Sequence, residues 1–273
     1  MRRLAIIALM LMLPPFLAAA QEFAARTSVG ADYKIVKGLH LGVEEEVRVD
    51  DGFSGLDDLR TTVDLSYKVG KNFKIGGGYT LINPYKLSSS TFGAPRHRAF
   101  VDATASYRAG DFQFSLKEKL QFTHRTDDSL NVYQKTRNAL SLKSRVGVKY
   151  KGFYDWEPFV YFEARTALND PWGEVSGSLQ YTETSSRPYY SYTHTGYTHV
   201  YFNRFRLNLG TDWSPSKSHN FSFGLLADYC TDYVVDTNGP SSWSTKGVRL
   251  FADETGWVDT FRLSLCVGYQ YKF

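Results

Sequence analysis

The chain has little of what most common folds depend on. It carries two cysteines, Cys230 and Cys266, and no lipobox cysteine follows its apolar start, so a lipoprotein anchor is excluded. Mean hydropathy is -0.34, far too low for a bundle of membrane-spanning helices. No window places apolar residues at spacings of three and four over the dozen or so positions a stable helix needs. No linker or low-complexity tract divides the chain, which argues for one domain. Lys and Arg are spread among Asp and Glu rather than gathered on one face, and this excludes a nucleic-acid binder. None of the six histidines sits in a recognisable catalytic motif. No cofactor fingerprint or metal-ligand spacing is present either.

What the chain does have is two-residue alternation. Its last thirteen residues place Phe261, Leu263, Leu265, Val267, Tyr269, Tyr271 and Phe273 on one face of a strand and Arg262, Ser264, Cys266, Gly268, Gln270 and Lys272 on the other. Strands of this kind, apolar outward and polar inward, build the antiparallel barrels of bacterial outer membranes. The aromatic ending, Tyr269, Tyr271 and Phe273, resembles the signal read by the barrel-assembly machinery. The alternative is a half-buried strand of a soluble sandwich.

At the other end, residues 1–20 have the ordered parts of a secretory signal peptide: Arg2 and Arg3, an apolar core from Leu4 to Leu17, then Ala18, Ala19 and Ala20. Of 32 basic residues only those two would leave with it, so the remaining chain stays nearly balanced against 28 acids. The expected organisation is a signal peptide over 1–20 and a barrel over 21–273. The expected location is the outer membrane of a Gram-negative cell.

Ten further windows alternate with period two: Val29 to Ile35, Leu39 to Val49, Leu59 to Val69, Phe73 to Leu81, Ala99 to Tyr107, Phe112 to Phe122, Leu140 to Tyr150, Trp156 to Leu168, Tyr201 to Leu209 and Phe221 to Tyr229. Connections alternate short and long, as periplasmic turns and external loops do. With the terminal strand the windows number about eleven. Single-chain bacterial barrels have even strand numbers, so the range is ten to twelve with twelve preferred. Gly177 to Tyr190 and Thr245 to Ala252 are the candidates for a hidden strand, and an unusual route of the N-terminal strand is the other way to restore parity.

The inward phase is charged with both signs. Glu44, Glu46, Arg48, Arg60, Asp64, Asp102, Arg145, Glu163, Arg165, Arg204, Arg206 and Asp228 are expected to form a lumen charge network, pairing across a narrow interior and filling it. A small pore favouring anions is the functional alternative. Glu45 is an acid on the apolar face. Chemistry has few footholds. His40 with Glu44 reads as a structural hydrogen bond or, alternatively, a general base. His97 and His124 lie near strand ends, and a Ser or Thr hydroxyl within hydrogen-bond reach of either, or of His40, would suggest a lipid hydrolase or acyltransferase. His194 and His199 do not fit a metal site. Cys230 and Cys266 share the inward phase but fall about two residue pairs apart in a simple register, which favours free thiols.

The segment from Asn169 to Thr198 is rich in aromatic residues. Trp172, Tyr189, Tyr190, Tyr192 and Tyr197 either extend strands into an outer aromatic girdle or form a surface that binds an envelope protein or a glycan. The stretch from Asp232 to Asp259, with Trp243 and Trp257, poses the same choice.

Taken in order, LGVEEEVRVDD, LRTTVDLSYKVGKNFKIGGGYTLI, SRVGVKY, EPFVYFEA, YFNRFRLNLG and the closing YQYKF resemble an outer-membrane barrel family common in Bacteroidetes and catalogued only as a domain of unknown function. The resemblance implies fold and location, with no activity to carry over. The expected protein is a porin-like, non-enzymatic barrel of the cell envelope, a structural element, narrow channel or docking partner in contact with outer-membrane lipid.

Overall fold

The computed structural model describes residues 22–49, 51–128, 136–172, 175–182, 185–194, 197–235 and 255–273. The expected signal peptide, Trp243 and the candidate strand Thr245 to Ala252 lie outside the described residues. The chain folds as β1 (Glu22–Val36), β2 (Leu39–Val49), β3 (Leu56–Lys68), β4 (Phe73–Lys86), β5 (Thr91–Phe92), β6 (Arg96–Ala109), β7 (Phe112–Arg125), β8 (Asn138–Tyr150), β9 (Trp156–Trp172), β10 (Val175–Thr182), β11 (Ser185–His194), β12 (Tyr197–Trp213), β13 (His219–Val235) and β14 (Thr255–Lys272). Among the described residues the one other regular element is a 3-10 turn at Asp51–Phe53.

These strands close a barrel in the order β3-β2-β1-β14-β13-β12-β9-β8-β7-β6-β4, and β4 pairs back to β3. Eleven strands take part, while the two-residue β5 pairs only with the end of β4. The preference for twelve strands is therefore corrected. Evenness follows from antiparallel pairing all the way round, and here one seam is parallel: β1 runs alongside β14 from Glu22 opposite Arg262 to Asp32 opposite Lys272. Every other pairing among the described residues is antiparallel. Gly177 to Tyr190 does not restore parity. Its residues belong to β10 and β11, which pair with each other as a separate two-stranded sheet.

Short turns join β1 to β2, β3 to β4, β6 to β7, β8 to β9 and β12 to β13 at one end of the barrel. Gly38 in the first and Gly110 in the third take positive φ (88° and 58°), a conformation that side chains with a Cβ strain to reach.

Outward positions carry the apolar set, and they are exposed: Val101 60%, Tyr107 65%, Leu116 48%, Phe162 45%, Leu265 55%. Followed from Thr260 through Cys230, Arg204, Arg165, Lys143, Lys119, Asp102, Gly76, Ser66, His40 and Lys34, the ladder returns to β14 beside the chain's last residues. That stagger of about 14 residues over eleven strands sets a tilt of roughly 40° and a backbone cylinder of roughly 11 Å radius. Long inward side chains consequently reach most of the way to the axis.

Candidate functional site

The site is the lumen wall, and its geometry begins with glycine. Gly78 on β4 lies opposite Phe100, Gly147 on β8 opposite Tyr161, and Gly210 on β12 opposite Phe159. A Cβ added at Gly78 would stand 2.7 Å from Phe100 Cζ, and one at Gly210 would stand 2.6 Å from Phe159 Cζ. Each ring therefore lies flat over the neighbouring backbone instead of pointing at the axis. A cation covers each ring in turn: Lys119 Nζ is 3.8 Å from the Phe100 centroid, Arg145 is 4.9 Å from that of Tyr161, and Lys149 is 5.9 Å from that of Phe159.

Above this layer, toward the long connections, runs a belt of ion pairs. Asp228 on β13 accepts two hydrogen bonds from Arg206 on β12, at 2.6 and 2.9 Å, and one from Arg26 on β1 at 3.0 Å. Arg206 also approaches Glu163 on β9 at 3.6 Å, which in turn meets Lys143 on β8 at 3.9 Å. On β2 and β3, Asp58 takes a bidentate pair of 2.6 Å bonds from Arg60 and lies 3.8 Å from Arg48. Arg48 also bonds Glu46, which is 4.0 Å from Arg60. Arg26 and Asp228 are 8% and 1% exposed, so this part of the belt is sealed from solvent.

Two further pairings lie nearer the short turns. Asp102 meets Lys117 at 3.2 Å and Lys119 at 3.9 Å. Lys149 meets Asp212 at 2.5 Å and Glu157 at 3.4 Å, and Lys151 meets Glu157 at 2.7 Å. The expectation that charges pair across the lumen is corrected by these contacts. Among the described residues, the lumen ion pairs lie within one strand, as Arg48 with Glu46 and Arg60 with Asp58, or join strands that are adjacent or separated by a single strand. Tilted strands bring diagonal neighbours on one wall closer than groups on opposite walls.

The expected network residues divide accordingly. Glu46, Arg48, Arg60, Glu163, Arg206 and Asp228 meet in the belt; Asp102 belongs to the lower pairing; Arg145 covers a ring. Arg165 donates to Asn203 Oδ1 at 2.7 Å, while Arg204 Nε is buried without a hydrogen-bond partner among the described residues. Glu44 and Asp64 face the lumen with no ion pair among the described residues, and Glu44 is exposed there. Sequence reasoning missed Glu22, Arg26, Asp58 and Asp212. The alternation extends unbroken from Val29 back through Arg26 and Ala24 to Glu22, and that signal would have found the first two.

The histidines take partners of another kind. His40 Nδ1 bonds Asp32 Oδ1 at 2.7 Å rather than Glu44, because Asp32 is its diagonal neighbour across the β1–β2 hairpin. His97 bonds the Tyr79 hydroxyl at 2.5 Å and His124 bonds Asn138 at 2.7 Å. The cysteines are free thiols. Cys230 lies opposite Thr260 and Cys266 opposite Gly224, so they stand six residue pairs apart rather than two. Among the described residues, no group of three or more His, Cys, Asp or Glu is arranged to hold a metal ion.

Outside, the short-turn end carries a continuous aromatic chain. Trp156 stacks on Trp213 (5.6 Å), which meets Phe221 (5.3 Å), then Tyr269 (5.0 Å). His219 links Tyr269 to Tyr271, and Tyr271 meets Phe273, which contacts Tyr33. The terminal aromatics are thus part of a girdle. Of the proposed surface residues, Trp172 and Tyr197 are register partners that extend the β9–β12 ladder, and Tyr189, Tyr190 and Tyr192 lie on β11 opposite Gln180, Leu179 and Gly177.

Residues 25–182 match the family model described as a protein of unknown function, DUF2490. No curated protein matches the chain.

Proposed function

Because the chain belongs to the DUF2490 family, which is defined without a function, we propose from its geometry that it is a non-enzymatic barrel of the bacterial outer membrane whose lumen is narrowed by its own side chains. It serves the envelope as a structural or docking element rather than as a wide pore. The observation that carries this reading is the ion-pair belt. Its members Arg26, Arg206, Asp228, Glu163, Arg48, Arg60 and Asp58 hold one another against the wall, committing the polar groups a reaction or an aqueous pore would use. The membrane assignment is supported by the exposed apolar outer face and by the aromatic girdle at the short-turn end. Export by a cleaved signal over residues 1–20, folding by the barrel-assembly machinery and a Bacteroidetes-type origin complete the proposal. The outer end, where β10 and β11 add a tyrosine-rich hairpin, is the surface for an envelope protein or a glycan.

Planar-bilayer recording of the purified barrel tests the reading. A closed belt gives no stable single-channel steps. Steady conductance of porin size would overturn it.

A further inference from the structure

The belt is not balanced. Its four carboxylates are each shared by two cations: Asp228 by Arg26 and Arg206, Glu163 by Arg206 and Lys143, Asp58 by Arg48 and Arg60, and Glu46 by the same two arginines. Three more arginines face the lumen beside it without a carboxylate at ion-pair distance among the described residues. Arg98 on β6 donates to the Thr123 hydroxyl at 3.0 Å, Arg165 on β9 to Asn203 at 2.7 Å, and Arg204 on β12 leaves a buried Nε unpaired. Arg165 and Arg204 are direct register partners, and Arg98 lies within electrostatic reach of Arg165 from across the intervening strands.

This arrangement has a local cause. β12 carries a bulge between Phe202 and Arg204, so Asn203 and Arg204 are both presented inward in succession, and Asn203 is buried at 4%. The bulge re-aims Arg204 at the point where Arg165 already projects. Guanidinium groups left facing one another in a closed interior repel strongly, and a bound anion is the simplest relief. Donors on three strands that face one narrow interior suit an oxyanion, which accepts several charge-assisted hydrogen bonds at once. At the short-turn end, inward Lys34, Lys68, Lys74 and Arg108 remain exposed and make that mouth of the lumen cationic.

We infer that Arg98, Arg165 and Arg204, with Asn203, form a lumen site for a phosphate-class oxyanion, either free or as the phosphate of a lipid headgroup. The inference goes beyond the closed-barrel reading: a barrel that neither conducts nor binds phosphate would leave that reading standing and remove this one.

The test uses the full folded barrel, stripped of lipid in neutral detergent. Its unfolding midpoint is measured against inorganic phosphate and, separately, against mixed micelles containing phosphatidic acid, with chloride at equal ionic strength as the reference. A rise with inorganic phosphate assigns a free anion; a rise with phosphatidic acid alone assigns a lipid phosphate. Arg165→Gln or Arg204→Gln weakens the response by about ten- to hundredfold, the loss expected for one charge-assisted bond. Arg98→Gln, on a distant strand, gives the same result where either of those fails to fold. Lys71→Gln, in the exposed turn between β3 and β4, leaves the response intact. The inference is overturned if the wild-type midpoint responds to phosphate and phosphatidic acid no more than to chloride.

Discussion

Arg26 and Asp228 form their 3.0 Å ion pair across a strand that separates them. Arg26 is on β1 and Asp228 on β13, with β14 between. The bridge passes over Ser264, which has no exposed surface, and ties the first strand to the penultimate one at the single parallel seam. The seam is thereby held by a side-chain clasp in addition to its backbone ladder.

Removing one member of this clasp leaves an unpaired charge in a sealed site. Asp228→Ala strands Arg26 and leaves Arg206 with only the longer 3.6 Å approach to Glu163, and the expected loss is about 3–5 kcal/mol of stability. The measurement is urea unfolding in detergent micelles, followed by tryptophan fluorescence. Replacing Arg26 and Asp228 together by apolar residues costs less than the sum of the single changes, since neither charge is then left alone.

The clasp also shows where the sequence was legible. Alternation is uninterrupted from Ala99 to Tyr107 on β6 and from Phe261 to Phe273 on β14, and on β7 only Glu118 breaks it, so the pattern marks those strands and the phase of their charged residues. The windows stopped short elsewhere: β1 was read from Val29 and β3 from Leu59, so Arg26 and Asp58 fell outside them. Their spacing continues the same phase, and only the mixed composition of Glu22 to Ser28 obscured it. Register is a different matter. Which charges meet depends on how neighbouring strands slide, and nothing in period two fixes that slide. This is why alternation alone pairs His40 with Glu44 instead of Asp32, sets Cys230 and Cys266 too close, and leaves the route of the N-terminal strand as one of two ways to restore parity, without showing that it makes a parallel seam.

The flat packing of interior rings predicts asymmetric costs at glycine. At Gly78 a Cβ would lie 2.5 Å from the Val63 carbonyl oxygen and 2.7 Å from the Phe100 ring, whereas at Gly268 its nearest neighbours are Ser28 Oγ at 3.1 Å and Ser222 Cβ at 3.6 Å. Gly78→Ala is expected to destabilise by about 1–3 kcal/mol, and Gly268→Ala by clearly less. Paired urea titrations check the order.

The outer face makes a prediction of opposite sign for two neighbours. Leu116 is an exposed outward residue at the middle of β7, and Leu116→Arg would place a cation in hydrocarbon at a cost of about 2–4 kcal/mol. Glu118, two positions on, already sits on that face and accepts a 2.6 Å bond from Ser144. Glu118→Leu is therefore expected to raise stability in lipid vesicles. Folding titrations into phosphatidylcholine vesicles read both changes.

Closure through a parallel seam can be trapped covalently. Thr27 and Val267 are register partners, within the reach of a disulfide between neighbouring strands. With Cys230 and Cys266 replaced by serine, the pair Thr27→Cys and Val267→Cys cross-links on oxidation, while Thr27→Cys with Leu263→Cys does not. Cross-linking of the second pair alone would mean a different closure.

The most direct test of a two-faced barrel set in a membrane is accessibility along one strand. Single nitroxide labels are placed in turn from Phe114 to Phe122 on β7 of the barrel in lipid vesicles, and collision with dissolved oxygen is recorded by electron paramagnetic resonance. The account predicts a period of two, with high oxygen contact at Phe114, Leu116, Leu120 and Phe122 and low contact at Ser115, Lys117, Lys119 and Gln121. Uniform contact along the strand, or outward labels that meet aqueous reagents instead of oxygen, would contradict it.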